Sequence, residues 1–98
     1  MVVISYTKIK SFIEKHPAAT DTVNNWYRVT ELADWSNFHE MKSFFGAVDA
    51  IGNDRYVFNV GGNNYRIIAL IFFDIRTIYI RFVGSHAEYD KLKKASSI

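Results

Sequence analysis

The sequence has no cysteine and a single proline, Pro17. The lack of cysteine excludes disulfides and thiolate zinc sites, and it fits a reducing cytosol. No apolar run approaches the roughly 18 residues that a membrane span needs. The first residues also lack the cationic segment and small-residue cleavage site of a signal peptide. These absences predict a soluble, cytoplasmic protein without a membrane partner.

The composition is that of a compact folded chain. Of the 98 residues, 49% are hydrophobic and 16% are aromatic, so disorder is not expected. This length suits one core, and we expect a single domain over residues 1–98. The formal net charge of +2 is only a weak indication of an anionic partner, so the placement of charges matters more than their sum.

Three short helices are predicted between about residues 7 and 45. Ile9, Phe12 and Ile13 recur at helical spacing, and Pro17 separates this segment from a second helix that runs to about Ala33. Ser36 or Asn37 is the predicted cap of the third helix, in which the residues expected to face inward are Met41, Phe44 and Phe45. The pattern of residues 1–5 leaves open an edge strand or a lead into the first helix.

The sheet is predicted over about residues 47–84, with its main part between Arg55 and Ser85. A short edge strand is expected at residues 47–51, and three antiparallel strands follow it. Gly61 and Gly62 are typical of a hairpin turn, because such turns need positive φ angles. A helical segment is expected at about residues 86–95.

Alternation along the strands predicts two unlike faces, because successive side chains point to opposite sides. The predicted core face consists of Tyr56, Phe58, Val60, Tyr65, Ile67, Ala69, Ile71, Phe73, Ile78, Ile80 and Phe82. The predicted mixed face consists of Arg55, Val57, Asn59, Asn64, Arg66, Ile68, Leu70, Arg81, Val83 and Ser85. Arginines among aliphatic residues in mid-strand are costly unless an anion meets them.

Strand pairing predicts which of these side chains meet. Closing the second hairpin places Arg66 opposite about Ser85 and Leu70 opposite about Arg81. The first hairpin brings Asn59 next to Asn64 or Arg66. We therefore expect a polar cluster at one end of the mixed face, with His86 just beyond it.

This cluster suits phosphodiester chemistry. Its predicted catalytic residues are Arg66, Arg81, His86 and Tyr89, and the predicted RNA-binding residues are Arg55, Asn59, Asn64, Ser85 and Lys91. Arginine offers a fork of donors to phosphate oxygens, and histidine exchanges a proton near neutral pH. In the alternative interpretation, the arginines pair with Asp54, Glu88 or Asp90 and only stiffen the sheet.

No metal site or cofactor is expected. His16, His39 and His86 lie far apart in the sequence and show no metal-binding spacing. The double glycine lacks the surrounding pattern of a phosphate-binding loop and is therefore a turn. His16, which precedes Pro17, is interpreted as a residue at a helix end.

Two runs, RYVFNVGGNNYRII and YIRFVGSHAEYDKL, resemble the HigB toxins of bacterial type II toxin–antitoxin systems, which belong to the wider RelE/ParE group. The resemblance is strongest from Asn53 to Lys91, and it extends more loosely over the N-terminal half. It implies an α+β fold with N-terminal helices on one face of a three- to five-stranded antiparallel sheet. A short C-terminal helix completes this RelE-like arrangement.

The resemblance also implies an activity and partners. The expected activity is endonucleolytic cleavage of mRNA in the ribosomal A site. The expected inhibitor is a HigA-like helix-turn-helix antitoxin. Any contact with DNA would be indirect, through this antitoxin. By position, Arg66 would hold the scissile phosphate, His86 would act as acid or as a cation, and Tyr89 would match a C-terminal aromatic residue. The general base is left open between Asp90 and Tyr89. The alternatives are a toxin of the same fold that acts on DNA gyrase and a non-catalytic module that binds the antitoxin.

Overall fold

The computed structural model describes residues 1–98 and contains four helices and five strands. The strands are β1 (Val2–Ile4), β2 (Val48–Gly52), β3 (Arg55–Val60), β4 (Tyr65–Phe72) and β5 (Thr77–Ser85). The helices are α1 (Tyr6–Lys15), α2 (Thr20–Leu32), α3 (Phe38–Phe44) and α4 (His86–Asp90). Short 3₁₀ turns lie at Pro17–Ala19, Phe73–Ile75 and Ala95–Ser97. None of the helices combines the length and apolar content that a membrane crossing requires.

The strands form one sheet in the order β1-β5-β4-β3-β2. All neighbouring strands are antiparallel except β1, which pairs parallel to β5. The predicted α+β class is thus confirmed, with three helices before the main part of the sheet and a short helix after it. The helical segment expected to about residue 95 is shorter than predicted, because α4 ends at Asp90. The open question about residues 1–5 is answered by β1, which forms an edge of the sheet.

Local chemistry explains where α3 begins. The side-chain oxygen of Asn37 accepts a hydrogen bond from the backbone N–H of Glu40 at 2.9 Å, so Asn37 is the cap. Ser36 donates instead to the carboxylate of Glu40 through its hydroxyl and its backbone N–H. These hydrogen bonds hold the pKa of Glu40 below the usual range for glutamate.

The core lies between the helices and one face of the sheet, which we call the first face. A cluster of 14 buried residues fills this space, and it includes Trp26 of α2 and Phe58 of β3, whose rings meet edge to face at 5.1 Å. Met41 of α3 is fully buried, as predicted. The prediction that Phe44 faces inward is wrong, because 62% of this residue is exposed, although its ring meets Trp35 edge to face.

The pairing of β4 with β5 contains a β-bulge. Ile68 lies opposite Phe82, whereas the next residue, Ala69, lies opposite Ile80, so Arg81 is the extra residue. The predicted pairing is therefore wrong by one or two positions. Arg66 lies opposite Gly84 instead of Ser85, and Leu70 lies opposite Tyr79 instead of Arg81.

The bulge also changes which face some side chains occupy, because one inserted residue reverses the alternation beyond it. Phe82 was predicted on the core face but pairs with Ile68 on the opposite side, which we call the second face. Val83 and Ser85 were predicted on the mixed face, but they pair with Ile67 and Tyr65 of the first face.

The predicted turn between β3 and β4 is confirmed. Gly61 and Gly62 have φ angles of 63° and 70°, which L-residues with a Cβ adopt only at a cost. This turn places Asn59 directly opposite Arg66 on the second face.

The C-terminal segment folds back along the sheet towards the start of β3. The guanidinium of Arg55 donates to the backbone carbonyl of Ile98 at 2.9 and 3.2 Å, and the side chain of Asn53 donates to the carbonyl of Ser96 at 3.2 Å. Val57 and Ile68 of the second face are only 4% and 0% exposed. The second face is therefore largely buried in its middle, and its polar residues lie towards the ends.

Candidate active site

Arg66 is the central residue of the candidate site and is only 7% exposed. Its Nη1 donates to the backbone carbonyls of Asn63 and Tyr65 at 3.1 and 3.2 Å. Its Nη2 donates to the side-chain oxygen of Asn63 at 2.8 Å. The guanidinium is thereby fixed in one orientation, while Nε and the second hydrogen of Nη2 have no protein partner.

The charge of Arg66 is not balanced by a carboxylate. All three of its hydrogen bonds go to neutral oxygens, and the ion pairs of the structure are His16–Glu88, Arg76–Asp34 and His86–Asp90. The alternative interpretation, in which Asp54, Glu88 or Asp90 neutralises the sheet arginines, is therefore wrong for Arg66. A buried cation with spare donors is suited to an anionic ligand.

Tyr89 of α4 covers the guanidinium. The Cζ atom of Arg66 lies 5.8 Å from the centre of the tyrosine ring, within the range of a cation–π contact. The structure therefore brings together two of the predicted catalytic residues, and the tyrosine ring forms one wall of the site.

His86 is the first residue of α4 and is attached to the same end of the sheet. Its backbone N–H donates to the carbonyl of Asn64 at 2.9 Å. Its Nδ1 lies 2.7 Å from Oδ2 of Asp90, one helical turn later. Nε2 has no protein partner, and 43% of the side chain is exposed, so this nitrogen is accessible to a ligand.

A capping box fixes the start of α4. The hydroxyl of Ser85 accepts a hydrogen bond from the backbone N–H of Glu88 at 3.1 Å, and the carboxylate of Glu88 accepts one from the N–H of Ser85 at 2.8 Å. The hydrogen bond from the backbone of Ser85 is the main cause that lowers the pKa of Glu88 below its usual range. Nε2 of His16 lies 3.7 Å from the same carboxylate and links α1 to this cap.

Gly84, the partner of Arg66 in β5, leaves room for the ring of Phe82. It is buried opposite Arg66, and a Cβ added there would lie 2.8 Å from Cε2 of Phe82. The absence of a side chain at Gly84 therefore lets the ring of Phe82 fold over the strand beside the site.

The other predicted site residues separate into two groups. Asn59 lies opposite Arg66. Asn64 accepts a hydrogen bond from the backbone N–H of His86 through its carbonyl, and Ser85 caps α4. Lys91, which directly follows α4, is exposed. The structure does not bring Arg55 or Arg81 to the site. Arg55 lies opposite Leu70, about 13 Å along the strand from the Asn59–Arg66 pair, at about 3.3 Å per residue.

Arg81 lies on the side of β5 that faces α1, where it is exposed. Its predicted place opposite Leu70 on the mixed face is wrong, because the bulge at this residue takes it out of the alternation.

Sequence reasoning missed Asn63, which supplies two of the three acceptors of Arg66. The position of Asn63 could have predicted this contact. It is a polar residue in the turn, three residues before Arg66, so it lies close to the start of the strand from which the Arg66 side chain emerges. No group of three or more histidine, aspartate or glutamate side chains is placed to hold a metal ion.

The two groups supply complementary functions for phosphate chemistry. Arg66 supplies fixed donors, Nε2 of His86 is an accessible nitrogen of the helix that begins at the same end of the sheet, and Asp90 contacts the imidazole from its other side. These are the groups that a metal-independent phosphoryl transfer requires at its transition state.

Comparison with known proteins identifies the family of this chain. A sequence model of the HigB toxin, described as the RelE-like toxic component of a toxin–antitoxin system, matches residues 19–92. The chain is 35% identical over 96 residues to the mRNA interferase HigB of Escherichia coli O6:H1 (strain CFT073), which covers 96% of this chain and 93% of the relative. It is 32% identical over 92 residues to the mRNA interferase HigB of Shigella flexneri, covering 92% of this chain and 88% of the relative. The chain therefore belongs to the HigB family, the RelE-like toxins of toxin–antitoxin systems.

Proposed function

We propose that this toxin is an mRNA interferase, an endoribonuclease that cleaves messenger RNA in the ribosomal A site and so arrests translation and growth. The observation that carries the proposal is the buried guanidinium of Arg66, held by neutral acceptors beside Tyr89 and the start of α4. The names of the relatives, which are mRNA interferases, support the same activity. The site of action is the cytoplasm, where ribosomes translate.

The proposed reaction is transfer of the phosphate to the neighbouring 2′-oxygen. The 2′-hydroxyl loses its proton and attacks phosphorus, and the bond from phosphorus to the 5′-oxygen of the next nucleotide breaks. The products are a 2′,3′-cyclic phosphate and a free 5′-hydroxyl. Negative charge accumulates on the phosphate oxygens in the transition state, where the spare donors of Arg66 stabilise it.

His86 is the proposed general acid. Its Nε2 is accessible and donates a proton to the departing 5′-oxygen, while Asp90 at 2.7 Å keeps the imidazole oriented. Tyr89 positions the guanidinium and flanks the bound phosphate. Asp90 and Tyr89 are the two candidates for accepting the proton of the 2′-hydroxyl.

The proposed partner is a HigA-like helix-turn-helix antitoxin. Membership of a toxin–antitoxin family implies an antitoxin, and a DNA-binding antitoxin would connect the toxin to DNA only indirectly. Asn59, Asn64, Ser85 and Lys91 are the proposed contacts to the messenger close to the point of cleavage. Asn59 lies opposite Arg66, and the other three lie next to α4.

The test is to induce the toxin in growing cells and to map RNA ends by primer extension. We expect breaks at codon positions within translated messages, which disappear when the start codon of the message is removed. The inactive control is Arg66→Ala. Intact messages combined with a DNA-damage response would refute the proposal and favour a toxin that acts on DNA gyrase.

A further inference from the structure

A groove of about 440 Å³ lies between α1 and the outer edge of β5. It opens on the helix-covered side of β5, and its lining is mostly polar. None of the residues that bind Arg66 takes part in it. The groove is therefore a separate surface from the candidate active site.

Three exposed cations line this groove. Lys8 and Lys15 lie seven residues apart in α1, a spacing that places both on one side of the helix, with Ser11 between them. Arg81 faces them from β5, where the bulge has turned it towards α1. None of the three forms an ion pair. The groove therefore presents positive charge on both walls.

The edge of β5 is open along this groove. β1 pairs with β5 only up to the contact of Ile4 with Tyr79. Beyond Tyr79, no strand covers the outer side of β5, although β5 continues to Ser85. An extended ligand can therefore lie along this part of the strand without displacing any element of the fold.

One end of the groove leads to the active site. Glu88, which caps α4, lines the groove together with His16, and α4 begins at His86. Phe82 is half-buried and lines the groove, yet it also pairs with Ile68 on the second face, where Arg66 lies. Phe82 thus marks the corner at which the two surfaces meet.

We propose that this groove binds the backbone of the single-stranded messenger next to the cleaved phosphate, with a base against the ring of Phe82. Proteins that bind single strands combine a cationic groove for the phosphates with aromatic side chains for the bases. The proposal rests on the proposed ribonuclease function and extends its substrate contacts beyond the scissile phosphate. The aromatic corner and the direct path to His86 favour the messenger over an acidic antitoxin segment.

The test measures binding of uncleavable RNA by fluorescence anisotropy. A 2′-O-methyl oligonucleotide of about twelve nucleotides fills both surfaces, and one of about four nucleotides fills the active site alone. The groove variant is one protein that carries three substitutions, Lys8→Ala, Lys15→Ala and Arg81→Ala. The matched control, Lys10→Ala with Arg28→Ala and Lys42→Ala, removes the same charge from exposed positions outside the groove.

We expect the groove variant to bind the longer RNA about tenfold or more weakly. The salt slope, which is the slope of the logarithm of the binding constant against the logarithm of the salt concentration, should become shallower by about 2. The reason is that each lost phosphate contact lowers this slope by about 0.7 on a single strand. Binding of the shorter RNA stays at the level of the parent, and the control variant keeps the parent slope with both. The substitution Phe82→Leu weakens binding of the longer RNA without a change in slope.

Three outcomes would overturn the proposal. An unchanged salt slope for the longer RNA would show that the groove does not contact it. If the groove variant lost affinity only for ribosomes that carry no messenger, the groove would be assigned to ribosomal RNA. If it lost binding of the antitoxin but bound the longer RNA as tightly as the parent, the groove would be assigned to the antitoxin. Because the RNA is uncleavable, none of these results depends on whether the toxin is a nuclease.

Discussion

The guanidinium of Arg66 binds both oxygens of Asn63, the backbone carbonyl at 3.1 Å and the side-chain oxygen at 2.8 Å. A residue of the β3–β4 turn thus orients the cation at the start of β4. In the proposed mechanism this contact separates two roles, since Arg66 meets the phosphate and Asn63 holds Arg66. The separation can be tested by substitution at each position.

For Arg66, we expect Arg66→Ala to reduce cleavage of mRNA on translating ribosomes by about 10²-fold or more, because one fixed transition-state donor is worth that much. Arg66→Lys keeps the charge but not the fork of donors and recovers only part of the rate. The matched control is Arg55→Ala, whose guanidinium is bound to Asn53 and Ile98 away from the site. Parent-like cleavage by Arg66→Ala would refute the site.

For Asn63, we expect Asn63→Ala to lower the cleavage rate by about tenfold, less than Arg66→Ala, because the cation remains but loses one of its fixing hydrogen bonds. The loss of this hydrogen bond costs about 1 kcal/mol of folding stability, measured by urea unfolding. In the Arg66→Ala background, Asn63→Ala should have no further effect on the rate. An additive loss there would show that Asn63 acts independently of Arg66.

For His86, we expect His86→Ala to slow cleavage by about 10²- to 10⁴-fold, the usual contribution of a general acid. A messenger with sulfur in place of the bridging 5′-oxygen has a leaving group that needs no protonation. On that substrate His86→Ala should approach the parent rate, while Arg66→Ala should remain slow. Equal defects of His86→Ala on both substrates would contradict the role of acid.

For Glu88, the lowered pKa predicts a pH-dependent contribution to stability. A carboxylate whose pKa is lower in the folded state than in the unfolded state stabilises the fold above the unfolded pKa, and the effect is lost as the pH falls through the glutamate range. Between about pH 7 and about pH 3.5, stability should fall less steeply in Glu88→Gln than in the parent. Glu14→Gln, at an exposed position of α1, is the control and should keep the parent slope.

For the β3–β4 turn, we expect Gly61→Ala to destabilise the protein by about 1 to 2 kcal/mol, because φ at this position is 63° and a Cβ would lie 2.9 Å from Cδ2 of Tyr65. Gly46→Ala is the matched control, since its φ is not in the left-handed region and no atom lies within 4 Å of its added Cβ. It should be neutral or slightly stabilising, as measured by urea unfolding. Equal losses for both variants would show that the turn conformation is not the cause.

Much of the fold could be predicted from local patterns. Gly61 and Gly62 defined a hairpin because positive φ is cheap for glycine, and Asn37 capped a helix because its side chain reaches a free N–H. Closing the first hairpin predicted Asn59 next to Asn64 or Arg66, and the structure pairs it with Arg66. These inferences succeeded because each depends on residues close together in the chain.

The position of Arg81 could not be predicted in this way. Nothing in the alternation of Ile80, Arg81 and Phe82 shows that one residue has no partner, because a bulge depends on how two strands fit across the sheet. The same holds for Asn63, whose contact requires the turn to be closed, and for the groove, which exists only because β1 ends before β5 does.

The sequence by itself determined the class of fold, the two-faced sheet and the placing of Arg66 near the His86 end, because periodicity and turn chemistry are properties of short segments. Tertiary structure alone decided which cations lie at the candidate site. A single unpaired residue in β5 takes Arg81 out of the alternation and towards the lysines of α1, whereas Arg66 of β4 lies on the second face beside Tyr89. The physical reason is that one inserted residue reverses the side on which every later side chain of the strand emerges.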